Sequence, residues 1–274
     1  MMKKLRKILG TVLPLVIVVE LVLLFSGVLD LVSAVWVVIL VEVSLLIFVI
    51  FEFWVIAKAV SAARRSGTEL SFALENVMSE FFPNLVARAL RHDILLLRAI
   101  GMLLTGRRDV KQHEVALPYS GPLVPMLAVI TVVDGVVAFG LHMLIPAGWV
   151  RTLVLIVGLL GLIWLFGFIA ALIVYPHTLS DDRLRLRFGA FQDIIVPREM
   201  IIAAERFTGK PASTRAATCL DGALIMVVAN QANMRLKTHA MENIVTLNPK
   251  LADHKIDQIF FYTDSRNTAR KALT

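Results

Sequence analysis

The chain has 274 residues, of which 58% are hydrophobic and 18% charged, with a mean hydropathy of +0.77 and a formal net charge of +7. Globular chains average about 45–50% apolar and about 25% charged residues, so this composition excludes a disordered chain and argues against a wholly soluble enzyme. One cysteine, Cys219, excludes an internal disulfide framework and a cysteine-rich metal site; the basic excess points to membrane topology and anionic lipid rather than nucleic acid.

A helix needs about 20 mostly apolar residues to cross a bilayer. Four segments meet that length: about Ile8–Val28, Leu31–Ala59 (interrupted by Glu42 and Glu52), Leu123–Ile145 and Val150–Tyr175. Gly27 and Asp30 turn the chain within the first pair, and Pro146, Gly148 and Trp149 within the second. Lys3, Lys4, Arg6 and Lys7 open the chain, the segment Lys58–Ser120 holds nine basic residues against six acids, and the tail from Pro176 holds fourteen against ten. The two short turns carry one basic residue, Arg151. By the positive-inside rule, both termini and the central segment are expected on the cytoplasmic side of the membrane. A cleaved signal peptide over residues 1–28 is the competing reading; the apolar run is too long for it, Glu20 interrupts it, and no A-x-A site follows. The expected fold class is an α-helical transmembrane four-helix bundle built from residues 1–60 and 121–175. A cytoplasmic helical hairpin over 61–120 and a small C-terminal β-barrel or sandwich over 176–274 complete it.

In the central segment Leu70, Leu74, Val77, Met78 and Phe81 recur on one helical face. Pro83 breaks that helix. Val86, Leu90, Ile94, Leu97, Gly101 and Leu104 line a second face, with Arg88, Arg91, His92 and Arg98 elsewhere, and Gly106 to Asp109 end it. Such a basic amphipathic pair either lies on the membrane surface or packs on a neighbouring domain. In the tail the period switches to two: Leu184, Leu186 and Phe188 alternate with Arg183, Arg185 and Arg187. Gly189 and Ala190 turn the chain. Further strands are expected at Phe191–Val196, Met200–Phe207, Gly222–Ala229, Met234–Thr238, Asn243–Leu247 and Gln258–Tyr262, with a polar loop over 208–219 and a closing helix over Asp264–Leu273.

The run from Tyr175-Pro-His-Thr-Leu-Ser-Asp-Asp-Arg-Leu-Arg through Ile194-Ile-Val-Pro-Arg-Glu-Met-Ile resembles the opening of bacterial pleckstrin-homology-like domains. The closing Phe260-Phe-Tyr-Thr-Asp-Ser before a helix is similar to their end. The resemblance covers roughly residues 175–273; the segment 208–219 and the polar run Asn230–Arg235 depart from it. It implies a fold for the tail and a place beside a membrane, and no activity. Bacterial domains of this kind resemble assembly or protein-interaction modules.

The acids inside the apolar segments carry the chemical interest. Glu20, Glu42 and Asp134 are expected near the bilayer midplane, with His142 two helical turns from Asp134 and rotated from it by about 80°. Each such group costs about 2.5–3.5 kcal/mol to insert, so all four should face protein or water. Three readings follow: protonated acids fixing helix order, a proton or divalent-metal site of oxygen ligands and one imidazole, or a ligand cavity or catalytic site. No G-x-S-x-G, H-E-x-x-H or phosphate-loop motif occurs, and a single histidine inside a span argues against a two-haem cytochrome. Arg183, Arg185 and Arg187, just past the fourth span, are read either as a solvated strand face paired with Asp181 and Asp182 or as contacts to anionic headgroups. The expected role is a non-catalytic, membrane-anchored interaction or regulatory module with a protein partner or a second copy. A small transporter or metal- or proton-handling protein, and a membrane-embedded enzyme, are the alternatives.

Overall fold

In the computed structural model of the chain, the residues described are 54–55, 57–62, 65, 69–79, 82–146, 148–241, 244–248, 251 and 254–273. The first expected span and most of the second lie outside them, as do Glu20 and Glu42. The chain divides into two compact units, Met1–His92 and Asp93–Thr274.

In the first unit, helix α1 (Leu70–Ser79) buries Ala73, Leu74, Val77 and Met78, the stripe its apolar spacing dictates. Pro83 separates it from helix α2 (Asn84–Leu104), whose first turns carry Arg88 and Arg91 to within 3.6 and 3.7 Å of Glu75. Helix α2 ends inside the second unit.

The second unit corrects the expected fold class. Its described residues hold two helices long and apolar enough to cross a membrane, not four, and most of the remainder is a large two-sheet β region instead of a small appendage to a four-helix bundle. Apolar length alone supported the bundle, and length does not fix how many such segments pack together. The two helices are α3 (Leu123–Leu144) and α4 (Trp149–Val174), which form an antiparallel pair. Small residues bring them close: a Cβ added at Gly158 would sit 3.1 Å from that of Ala138, and one at Gly135 would meet Leu162. Between Ala128 and Leu144, and between Val150 and Phe166, no side chain is buried. Each stretch is about 25 Å long at 1.5 Å per residue, close to a hydrocarbon core.

The first sheet runs β1 (Val115–Leu117), β2 (His177–Leu179), β3 (Arg183–Phe188), β4 (Gln192–Pro197) and β9 (Val245–Thr246), antiparallel throughout. The second runs β5 (Ile201–Arg206), β8 (Met234–Met241), β10 (Ile256–Phe261), β7 (Ala223–Met226) and β6 (Thr218–Leu220), antiparallel except for the parallel pair β10 and β7. Leu184, Leu186 and Ile194 of the first sheet meet Leu224, Leu236, Ile259 and Phe261 of the second in one core, all fully buried. Burying a side chain of this size stabilises by about 1.5–3 kcal/mol. Helix α5 (Arg266–Leu273) adds Ala269 and Leu273 to the same core. The strong strands stand where period-two alternation places them. Strands β1, β2 and β6 are three residues each, too short to show alternation.

One turn is strained. Val228 and Gln231 pair through two backbone hydrogen bonds, and the residues between them, Ala229 and Asn230, have φ of 49° and 60°. A two-residue hairpin needs positive φ at both positions, which suits asparagine or glycine and not alanine. Ala229→Gly removes the Cβ penalty and loses part of that gain to unfolded-chain entropy. A net stabilisation of about 0.5–1 kcal/mol is expected in a denaturant melt; an equal loss would show that the turn does not impose this φ.

Candidate functional site

The most constrained polar site lies where α4 leaves its apolar stretch and enters the sandwich. From Ile169 to Leu179 all but one residue is buried. The chain there must satisfy its polar groups internally, and three arginines and two aspartates do so. Arg187 is 2% exposed. Its Nε donates to the Pro176 carbonyl at 2.7 Å, and its terminal nitrogens donate to the Asp109 carboxylate and carbonyl at 2.7 and 2.8 Å. Arg185, on the same strand face, binds Asp193 with both arms of its fork, at 2.8 and 2.5 Å. Arg98, from α2, donates to Asp109 at 3.0 Å and lies over the Tyr175 ring. The Asp109 backbone N–H donates to the Val174 carbonyl at 2.9 Å, which fixes the loop after α2 against the end of α4.

Burial pushes the Asp109 carboxyl up, but Arg187, then Arg98 and Arg185, outweigh it and hold it below the ordinary carboxylate value. Burial and the neighbouring Arg185 charge lower Arg187 from its ordinary value, against the pull of Asp109 and Asp193. A guanidinium starts so far above neutral that it stays charged.

Around this network sits a stack of rings. Tyr119, fully buried, stacks on His177 with centroids 4.4 Å apart, and its hydroxyl oxygen accepts from the Gly189 N–H at 2.7 Å. His177 Nδ1 accepts from the Arg187 backbone N–H at 2.9 Å. Its Nε2 lies 3.1 Å from the Tyr262 carbonyl, which can only accept, so Nε2 carries the proton. Burial drives His177 down to about 3, so it is neutral at pH 7. Burial likewise pushes the Tyr175 hydroxyl up to about 12 and raises that of Tyr119, and the Tyr175 hydroxyl donates to the Leu95 carbonyl at 3.0 Å.

A second clasp holds the start of α3. The Pro118 carbonyl accepts from the Thr263 hydroxyl at 3.0 Å and from the Asp264 N–H at 2.7 Å. The Asp264 carboxylate accepts from the Gly121 N–H at 3.0 Å. Both ends of the apolar hairpin are thereby bonded to the sandwich.

The residues expected to carry chemistry fall differently. Asp134 is exposed on α3. His142 lies at the far end of the same helix, with the Arg151 terminal nitrogen 3.0 Å from its Nε2. Glu20 and Glu42 lie outside the described residues. Among the described residues no group of three His, Cys, Asp or Glu could hold a metal ion. The arginine stripe needs correction at two of its three positions. Arg185 and Arg187 do not reach solvent or headgroups, because the strand face that bears them is covered by the Asp109 loop and Asp193. Arg183 stays partly exposed, 4.0 Å from Asp182. Cys219 packs beside the sandwich core, and burial pushes its thiol up, which disfavours the nucleophilic thiolate.

Sequence reasoning missed Asp109, Asp193, Tyr119 and His177 as a set. Their separation along the chain hides them, and Asp109 reads as part of a helix end. The one local signal was three arginines on a strand directly after a span, more charge than a membrane-proximal strand keeps without partners. No family model matches the chain, and neither a curated protein nor a solved structure matches it.

Proposed function

We propose that this protein is a non-catalytic, membrane-anchored interaction or regulatory module, whose β-sandwich is presented on the cytoplasmic side of a bacterial inner membrane. The observation that carries the reading is the buried Arg187–Asp109 network, which ties the sandwich to the end of an apolar helix long enough to span. A buried network of this kind specifies one arrangement of its elements, which suits a platform whose job is to hold a surface in a fixed orientation. The likeness of the tail's opening and closing motifs to bacterial pleckstrin-homology-like domains supports the same role. The basic excess of the central and tail segments supports the cytoplasmic side.

The test is cysteine labelling in a Cys219→Ser background, with one cysteine introduced at the exposed Asn230. A membrane-impermeant maleimide is expected to label it in inverted inner-membrane vesicles and not in intact cells. Labelling from outside intact cells would overturn the assignment.

A further inference from the structure

We infer that the C-terminal half of α2 and the loop after it form a collar that binds anionic lipid headgroups around the exit of α4. The inference rests on the membrane-anchored reading and adds to it a lipid class and the residues that select it. Three observations lead there. Burial along α4 changes at one place: no side chain is buried up to Phe166, and Gly167 and Ile169 onward are buried, which marks the level where protein replaces the surrounding apolar medium. Helix α2 is fixed at that level, because a Cβ on Gly167 would meet Leu96 Cβ at 3.2 Å and Ile100 Cδ1 at 3.4 Å. The Asp109 N–H to Val174 bond holds the following loop beside the same helix end.

On the adjoining face α2 presents Leu97, Gly101 and Leu104, spaced at i, i+4 and i+7, with the two leucines 60% and 75% exposed. The next residues are Arg107 and Arg108, both exposed, and among the described residues neither side chain has an ion-pair partner. Exposed leucines followed by free guanidinium groups are the pattern of a helix lying in a membrane interface. Leucine side chains at this depth enter the outer acyl region, and the guanidinium pair meets phosphate oxygens with its forked donors. This face adjoins the one that meets Gly167, and α4 stays unburied up to Phe166, which favours lipid over a protein partner. Arg185 and Arg187, by contrast, spend their charge on Asp193 and Asp109.

The test uses the full chain in phosphatidylcholine vesicles containing a minor fraction of phosphatidylserine. A Cys219→Ser, Leu104→Cys variant carries an environment-sensitive fluorophore at position 104. Either phosphatidylserine or phosphatidylcholine bears a nitroxide at the fifth acyl carbon. A selective collar enriches the anionic lipid beside the label by about fivefold per arginine, so spin-labelled phosphatidylserine quenches several-fold more at equal mole fraction. Arg107→Glu with Arg108→Glu is expected to abolish that preference while quenching by phosphatidylcholine persists, and Arg206→Glu with Lys210→Glu, on the sandwich, is expected to leave it intact. Equal quenching by the two lipids, or none by either, would overturn the collar. Alkaline carbonate extraction separates the two readings: release of the chain from the vesicles would reject the membrane anchor itself, whereas retention with equal quenching rejects only the lipid selectivity.

Discussion

Asp193→Ala is expected to destabilise the protein by about 3–5 kcal/mol, because it leaves the Arg185 guanidinium buried without its bidentate partner. Arg185 is 5% exposed and Asp193 3% exposed, so water cannot take over the bond. Among the described residues the nearest other carboxylate is that of Asp109, 3.9 Å away and already held by Arg187 and Arg98. For a unit of this size the loss corresponds to a drop of about 10–15 °C in melting temperature. The double variant Arg185→Met, Asp193→Leu is expected to recover most of it, since a buried ion pair exchanged for apolar groups of similar volume is often neutral. Recovery identifies the cost as an orphaned charge. A double variant as unstable as the single one would instead assign the cost to lost packing.

The second large effect is a dependence on pH. His177 is neutral in the folded protein, with its proton on Nε2 and its Nδ1 facing the Arg187 N–H. Protonating Nδ1 would set two N–H groups against each other beside the Arg187 charge. Its folded value of about 3 lies below the ordinary histidine value of 6.5. The unfolded chain therefore binds a proton that the native one refuses, and stability falls as pH drops from about 6.5 towards 3. The slope is about 1.4 kcal/mol per pH unit within that window. Asp109, held below its ordinary value of 3.8, adds acid lability only below that value. His177→Asn keeps an acceptor for the Arg187 N–H and removes the titration. It is expected to melt lower at pH 7.5, through lost stacking on Tyr119, but to lose far less between pH 6.5 and 5. Parallel wild-type and variant profiles would show that His177 does not govern the dependence.

Much of the sandwich was legible because its chemistry is local. The alternation of Leu184, Leu186 and Phe188 with arginines, and the glycine at φ of 51° in Gly189, specify a hairpin without reference to anything distant. The apolar runs of α3 and α4 were equally plain, since length and composition alone define them. Illegible was everything that depends on residues far apart. Alternation assigns Arg185 and Arg187 to the outer face of β3; only the fold reveals that Asp109, 78 residues before Arg187, covers that face. Strand β1 carries three residues and no pattern, yet it pairs with β2 across some sixty residues of chain, most of them the apolar hairpin. Glu20, Glu42 and Asp134 show the converse. Counting gives each an expected depth, but whether they converge depends on packing that counting does not contain.

The sandwich and the apolar hairpin form one clasped body. Hydrogen–deuterium exchange of the full chain in lipid nanodiscs tests it at the clasps. The amides of Asp109, Arg187, Gly121 and Asp264, bonded to Val174, His177, Asp264 and Pro118, are expected to exchange as slowly as those of β3 and β10. Exchange at these four amides as fast as in the exposed segment 208–217 would contradict it, and would make the sandwich a loosely tethered domain.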